Sequence, residues 1–303
     1  MSQTTERQPL ALPTANTNSA ARLGLVKRGA RDLVGHLLLI AGSTVMSIPM
    51  LWMLSTSLKR TGQEWVFPPV WIPDPIWWPN YLEAMNALPV PFYVYVVNTL
   101  VITFNATLGT VITSSLAGFA FARLRFPARN FMFLLVISTM MLPGAVTLIP
   151  RFLIFRYLGW LDTFLPLIIP YWFGGTAFSI FLLRQFFMSI PRELDEAARM
   201  DGASSLQIYW WVILPLAGPA LATVTIFQVW DHWNEFMGPL IYINSMEKYT
   251  IALALRTFQN IRSQRVNYLM AVSMLQVIPV VILFFAAQKY FIRGIQLSGL
   301  SGR

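Results

Sequence analysis

Six long stretches without a charged side chain divide the sequence, and they constrain its fold more than any other feature. Each reaches or exceeds the roughly 20 residues that a helix needs to cross the hydrocarbon core of a bilayer. Because that core holds no water to bond peptide groups, and barrel strands would be about half as long, we expect helices. The stretches are 33–58, 84–122, 130–150, 163–183, 202–230 and 266–288. The sequence predicts an all-α integral membrane protein with six transmembrane helices.

The composition agrees with a membrane location. Of the 303 residues, 56% are hydrophobic and 12% are charged, which is too apolar for a soluble globular protein. The segment before the first stretch is polar and basic and lacks the features of a cleaved signal peptide, so we expect that stretch to be a retained span. The sequence contains no cysteine, which excludes disulfides and thiolate metal sites.

The positive charges indicate an orientation. Fourteen of the 22 Lys and Arg residues lie before the first stretch, in every second connection, or after the last stretch. The positive-inside rule therefore predicts that both termini are cytoplasmic. The net charge of +9 forms no single basic stripe, so no nucleic-acid partner is expected. We expect a cytoplasmic tail at 1–32, a six-span domain at 33–295 and a second cytoplasmic tail at 296–303.

The second stretch is too long for one straight span. The prolines at its start predict a helix that begins near Phe92 and ends before Arg123. Within it, Ser114, Gly118 and Ala122 recur every four residues, a spacing that lets a second helix approach closely. Small residues are also common in membrane helices in general. The prolines in the later stretches predict breaks, either as kinks or along a transport path.

A charged segment at about 188–214, after the fourth stretch, is the most distinctive part of the chain. Glu193 and Asp195 suit the first turn of a helix, where the positive end of the helix dipole stabilises acids. Gly202 can adopt the positive φ that ends one helix and redirects the chain. The segment therefore predicts a helix, a turn and a second helix. Four acids fall within nine residues of it: Glu193, Asp195, Glu196 and Asp201.

The run Glu196-Ala197-Ala198, with Gly202 six residues after Glu196, resembles the cytoplasmic "EAA" loop of ABC-importer permeases. Further runs resemble the carbohydrate-uptake branch of that family, specifically the second, maltose-type permease of a heterodimeric pair. The resemblance extends from about residue 33 to 297. The further runs are Asp201-Gly202-Ala203-Ser204, Ala120-Phe121-Ala122-Arg123-Leu124-Arg125-Phe126, Trp233-Asn234-Glu235-Phe236 and Gln288-Lys289-Tyr290-Phe291-Ile292-Arg293-Gly294.

This resemblance implies a type I ABC importer permease fold, spanning a bacterial inner membrane several times. It also implies that the charged segment forms a coupling helix, which docks in a groove of a cytoplasmic ATPase. By the same resemblance, Glu196 pairs with a cation of the ATPase, and Ala197 and Ala198 permit close packing. Gly202 makes the turn, and Asp201 stabilises the turn or contacts the partner.

The resemblance implies several partners. They are a second permease subunit in a heterodimer, a dimer of cytoplasmic ATP-binding subunits and an extracytoplasmic sugar-binding protein, besides membrane lipid. The chain has no Gly-x-x-x-x-Gly-Lys-[Ser/Thr] phosphate loop, so ATP hydrolysis is expected in a separate polypeptide. We expect neither an enzyme nor a resident cofactor.

Polar residues at the end of the fifth stretch form a second candidate site. An ionisable side chain costs about 2.5–3.5 kcal/mol at the bilayer centre, so its presence suggests a cavity. Asp231 and Glu235 are four residues apart and are expected to share a helix face. Asp231, Asn234 and Glu235 either line the translocation path and accept bonds from sugar hydroxyls, or lie near the outer interface. No metal site is expected, because Asp231 and His232 are adjacent and point to different faces.

An alternative function uses the same residues. In a secondary transporter driven by an ion gradient, Asp231 and Glu235 would be proton or sodium sites. Sensitivity of uptake to vanadate indicates the ATP-driven importer, whereas collapse of uptake by an ionophore at constant ATP indicates the ion-driven transporter.

Overall fold

The computed structural model describes residues 17–261 and 265–299, with the side chains of 31–258, 265–286 and 288. Within these ranges the chain is helical and contains no β-strand, which confirms the all-α prediction. The α-helices are α1 (Thr17–Ser57), α2 (Pro79–Met85), α3 (Phe92–Arg123), α4 (Arg129–Ser138), α5 (Gly144–Tyr157), α6 (Leu165–Gly174), α7 (Ala177–Ser189), α8 (Glu193–Met200), α9 (Ser205–Ile208), α10 (Leu214–Leu216), α11 (Gly218–Trp233), α12 (Met237–Tyr242), α13 (Ile251–Ile261) and α14 (Val266–Gly299).

In the described residues, four helical segments are long and apolar enough to cross a membrane, and two bent helix pairs raise the number to six. This agrees with the six predicted spans if each bent pair counts as one. The second span runs from Phe92 to Arg123, close to the predicted bounds. The four single segments are Arg31–Ser57, Phe92–Arg123, Leu165–Ser189 and Val266–Ala286, and the bent pairs are Arg129–Met141 with Gly144–Tyr157 and Ser205–Leu216 with Gly218–Trp233.

Prolines lie at both bends. The first pair is bent by 101° just before α5, where Pro143 is the residue that precedes the helix. The second pair is bent by 79° at the start of α11, where Pro219 occupies the first turn. Proline lacks a backbone N–H and its ring clashes with the preceding turn, so it suits the first turn of a new helix and not the middle of an old one. The predicted proline breaks are therefore confirmed at these two positions. Pro150, Pro170 and Pro279 instead lie inside helices that continue past them.

The first helix is longer than the sequence indicates. The charge pattern predicts a tail over 1–32, but α1 begins at Thr17, so 17–32 continue the helix of the first span. Residues 17–32 include no proline and many helix-forming Ala, Leu, Lys and Arg residues, which permits this extension. Likewise, 296–299 of the expected second tail belong to α14. Residues 1–16 and 300–303 of the two tails lie outside the described residues.

By its internal contacts the chain divides into two compact units, one ending at Met53 and the other beginning at Leu54. In the first unit, the described side chains of α1 are almost all exposed, including Leu38 at 69% and Met46 at 83%. A long apolar helix of this kind suits a lipid environment.

In the second unit, α3 is the central helix, and α6, α7, α11 and α13 contact it. Gly118 of α3 meets α7 so closely that an added Cβ would lie 3.1 Å from both the Arg184 nitrogen and Leu183 Cβ. Ser114 and Ala122 on the same side of α3 are also buried. The structure therefore confirms the close approach that the small-residue spacing predicts, and α7 is the helix that packs there.

A second set of contacts joins the connection before α6 to the connection after α12. The Asp162 carboxylate accepts bonds from the Asn244 and Ser245 backbone nitrogens, at 3.0 and 2.9 Å, and from Ser245 Oγ at 2.6 Å. Lys248 Nζ lies 2.9 Å from the same carboxylate. The bonds from Ser245, together with Lys248 and Asn244, hold the pKa of Asp162 well below its usual 3.8.

Neutralising Asp162 should loosen this connection. A lowered pKa means that the folded state binds the proton less readily than the unfolded state, so the stabilisation is fully present above pH 3.8 and falls as the pH drops below it. We expect Asp162→Asn to lower the melting temperature at neutral pH by about 2–4 °C. The measurement is thermal unfolding in detergent against pH, and the matched control is Asp74→Asn. If wild type and Asp162→Asn melt together at neutral pH, the carboxylate does not hold the connection.

Candidate functional site

The charged segment folds as a helix, a turn and a second helix, as predicted. Helix α8 ends at Met200 with Asp201 as its cap, and Gly202 follows with a φ of +85°. The backbone nitrogen of Asp201 donates to the Ala197 oxygen at 3.1 Å, and that of Ala203 donates to the Ala198 oxygen at 2.9 Å. These bonds satisfy carbonyls at the end of α8, and they require a residue in the left-handed region between them. Glycine adopts that conformation without steric cost.

The second half of the segment is capped and then anchored in the protein. Ser204 Oγ accepts from the Gln207 nitrogen at 3.3 Å, and Gln207 Oε1 accepts from the Ser204 nitrogen at 2.8 Å, which forms a capping box. A π-helix over Tyr209–Ile213 follows. Tyr209 is buried, and its hydroxyl lies 2.5 Å from Ser115 Oγ of α3. The segment therefore returns directly to the central helix.

A buried ion pair fixes α8 to α3. Asp195 Oδ2 lies 3.5 Å from Arg123 Nη1, and the two side chains are only 9% and 3% exposed. Arg123 Nη2 also donates to the Ile190 oxygen at 2.7 Å. The sequence indicated only a helix-dipole role for Asp195, and no local pattern links it to Arg123, because the two residues lie on different helices far apart in the chain. Breaking one partner of a buried pair typically costs about 3–5 kcal/mol.

The residues of the EAA run have different surroundings. Glu196 and Ala197 are exposed, as are Asp201 and Gly202 in the turn. Ala198 is partly buried and packs on the apolar cluster that contains Phe187 and Ile213. Adjacent residues of a helix are about 100° apart, so both alanines cannot face the same surface. The structure thus presents Glu196 and Ala197 outward and uses Ala198 to pack α8 on its own protein.

A cavity of about 630 Å³ lies among α5, α6, α11 and α12. Its walls include Arg151, Tyr171, Thr176, His232 and Glu235, together with apolar side chains. These residues offer hydrogen-bond donors and acceptors beside an aromatic ring, a combination that suits a hydroxylated ligand. The sequence did not indicate Arg151, Tyr171 or Thr176, because each lies far from the Asp231 cluster along the chain.

Of the three residues predicted to line a path, only Glu235 reaches this cavity. Helix α11 ends at Trp233, Asn234 follows it as the cap, and Glu235 lies beyond the helix. The expected shared face of Asp231 and Glu235 therefore does not form, and Asp231 and Asn234 are exposed outside the cavity. Glu235 Oε1 accepts from the Gly238 nitrogen at 2.8 Å at the start of α12.

His232 is the buried member of the cluster. Its ring lies 4.4 Å from the Tyr171 ring, centroid to centroid, in an edge-on arrangement. Its Nε2 has no hydrogen-bond partner among the atoms that the structure describes. In those residues, no group of three or more His, Asp or Glu side chains is arranged to hold a metal ion.

Comparison with known proteins identifies the family. The family model for the binding-protein-dependent transport system inner membrane component matches residues 109–297. The probable ABC transporter permease protein YurM of Bacillus subtilis is 31% identical over 261 residues, covering 85% of this chain and 84% of that protein. The sn-glycerol-3-phosphate transport system permease protein UgpE of Yersinia pestis is 31% identical over 274 residues, covering 88% and 97%.

Two further comparisons agree. The arabinooligosaccharides transport system permease protein AraQ of Halalkalibacterium halodurans is 31% identical over 248 residues, covering 82% of this chain and 86% of that protein. The structure is similar to a chain in the crystal structure of a bacterial ABC transporter involved in the import of the acidic polysaccharide alginate. The TM-score is 0.76 and the identity 27%, and the match covers 88% of this chain and 98% of that chain.

These comparisons confirm the resemblance that the EAA run and its companion runs indicated. The family model spans more than half of the chain, and the chain in turn covers most of the length of each relative. Such relatives are transport components and not enzymes. This chain therefore belongs to the family of binding-protein-dependent transport system inner membrane components, the permease subunits of ABC importers.

Proposed function

We propose that this chain is one of two permease subunits in an ATP-driven importer of a carbohydrate, and that α8 couples the ATPase to the membrane spans. The observation that carries the proposal is the buried Arg123–Asp195 pair, since it joins α8 rigidly to the central helix α3. A displacement of α8 by a partner is then transmitted to α3, because the ion pair makes the two helices move together.

The exposed side of α8 fits a protein partner. Glu196 offers a carboxylate, Ala197 leaves room for close approach, and Met200 is 88% exposed. An accessible acid beside a small residue and a large apolar one can form a desolvated charge pair within an apolar contact. The proposed partner is the cytoplasmic ATP-binding subunit dimer. With six spans, this proposal implies that both termini of the chain are cytoplasmic.

The substrate class follows from the cavity and from the relatives. The names of the relatives include glycerol phosphate, arabino-oligosaccharide and alginate transport, all of hydroxyl-rich compounds. The cavity that Glu235 lines offers donors and acceptors for such groups. The proposed assembly also contains a second permease in a heterodimer and an extracytoplasmic sugar-binding protein. The ion-driven alternative lacks support, because Asp231 and Glu235 do not form a shared site.

The coupling role is testable by crosslinking, because the chain contains no cysteine of its own. We expect Met200→Cys to react with a reagent that joins a thiol to a lysine amine, and so to capture the ATP-binding subunit in membranes of cells that express the whole importer. The control is Tyr157→Cys, since Tyr157 is 91% exposed and ends α5, on the side proposed to be extracytoplasmic. Capture of the ATPase from position 157 and not from 200 would overturn the proposal.

The role of the cavity is tested by transport kinetics. We expect Glu235→Gln to weaken apparent substrate affinity about tenfold, because the amide keeps an acceptor for the Gly238 nitrogen but loses the charge that strengthens bonds to hydroxyls. Asp231→Asn is the matched control, because Asp231 is exposed outside the cavity and should leave uptake unchanged. Equal kinetics for the two variants would remove the cavity from the path.

A further inference from the structure

A surface pocket of about 490 Å³ lies where α3 ends and α4 begins, apart from the cavity and from the exposed side of α8. Its lining contains four arginines, Arg123, Arg125, Arg129 and Arg192, and no acidic residue. Among the residues that the structure describes, only Arg123 of these four has an acidic partner within ion-pair distance. Arg125, Arg129 and Arg192 therefore give the pocket a positive charge that no acidic side chain of the described residues pairs with.

Backbone donors add to this charge. Ala128 precedes α4 with a φ of +57°, and no side chain caps the first turn of the helix. Ala128, Arg129 and the next two residues all line the pocket. The first N–H groups of a helix lack partners within it and favour an anion. Arg123, which is 3% exposed, also has its Nε without a hydrogen-bond partner among the described atoms.

The pocket continues into an apolar surface. Phe131 lines it and is 61% exposed, and further along α4 the side chains of Met132, Leu134 and Leu135 are 48%, 64% and 51% exposed. Helix α4 opens the third candidate span, so these side chains belong to the membrane-facing part of the chain. A free anion would use the arginines alone, whereas a ligand with a charged head and apolar chains would use both surfaces.

We propose that this arginine pocket binds the phosphate-bearing headgroup of an anionic phospholipid, whose acyl chains lie along the exposed side of α4. Guanidinium groups bind phosphate oxygens through paired, charge-assisted bonds. The pocket lies on the side proposed to face the cytoplasm, where anionic lipid is available in the adjoining leaflet. Arg192 immediately precedes α8, so the bound headgroup contacts both the α3–α4 turn and the coupling segment.

The test is native mass spectrometry of the full chain, purified with its accompanying subunits in neutral detergent and titrated with phosphatidylglycerol or phosphatidylcholine. We expect preferential binding of phosphatidylglycerol. Arg125→Gln should weaken it about fivefold and Arg125→Gln with Arg129→Gln about 25-fold, since each cation near an anionic surface contributes roughly equally. The control variant, Arg60→Gln with Arg156→Gln, removes the same charge outside the pocket and should leave the binding of phosphatidylglycerol unchanged.

Arg129 also donates to the Leu124 oxygen at 3.1 Å, so its loss in the double variant can impair folding. The single Arg125 variants then still test the proposal. Arg125 is exposed, and Arg125→Lys should bind lipid better than Arg125→Gln. Equal lipid binding by wild type and Arg125→Gln would overturn the proposal. So would displacement of the lipid by inorganic phosphate alone, which would indicate a free-anion site. If Arg125→Gln loses the ATPase subunit but binds lipid as wild type does, the pocket binds an acidic protein segment and the proposal is wrong.

Discussion

Replacing Arg123 by methionine should destabilise the protein more than any other single change of an arginine in the described side chains. The change leaves the Asp195 carboxylate buried without its cation and removes the bond to the Ile190 oxygen. The expected cost is about 3–5 kcal/mol, as for other buried pairs that lose one partner. In a chain of this size each kcal/mol lowers the melting temperature by about 1.5–2 °C. Thermal unfolding in detergent provides the measurement.

A control variant and a double variant distinguish loss of the ion pair from the general effect of removing an arginine charge. Arg156→Met makes the same change at an exposed position of α5 and should unfold like wild type. Arg123→Met combined with Asp195→Leu removes both charges and should recover most of the lost stability, because an apolar pair avoids the desolvation cost. If Arg123→Met and Arg156→Met unfold at the same temperature, the pair does not hold α8 against α3.

Uptake should be abolished by Glu196→Ala and by Gly202→Pro, although both proteins should still reach the membrane. Removing one member of a desolvated interfacial charge pair typically costs about 2–5 kcal/mol, which is at least a roughly 30-fold loss of coupling. Gly202 has a φ of +85°, whereas proline requires about −65°, so proline cannot form this turn. Uptake of substrate by membrane vesicles, with immunodetection of the membrane protein, measures both outcomes.

Conservative changes at the same places serve as controls. Glu193→Ala removes another exposed acid from the same helix and should keep most of the uptake. Gly202→Asn should retain more uptake than Gly202→Val, because asparagine tolerates the left-handed conformation and a β-branched residue does not. A Cβ added at Gly202 would meet no atom within 4 Å, so backbone conformation and not space decides this result. Normal uptake by Glu196→Ala would contradict the docking role.

The structure agrees with the sequence most closely where the determinants are local. The second span runs from Phe92 to Arg123 because prolines precede it and a charge ends it. Likewise, Gly202 ends α8 as expected, since only a few residues determine the geometry of a helix end. The first helix shows the limit of this reasoning. The charges before residue 33 mark the edge of the hydrocarbon region but do not stop the helix, which begins at Thr17.

The candidate site was predicted only in part. Glu196, Ala197 and Gly202 lie together in one exposed segment, as the EAA run indicates. Asp231 and Glu235 do not share a face, because α11 ends at Trp233 and the helical spacing no longer applies beyond it. Arg151 lines the cavity with Glu235, although no spacing in the sequence links the two residues.

By itself, the sequence determined that this protein is a helical membrane permease with six apolar stretches and a charged segment after the fourth. A bilayer forces each apolar stretch of about 20 residues to satisfy its own backbone as a helix, whatever surrounds it. Only the tertiary structure decided that Asp195 pairs with Arg123, that Ala198 faces inward, and which side chains line the cavity. Those relations depend on how separate helices pack and where they end, and packing brings together residues that no pattern along the chain connects.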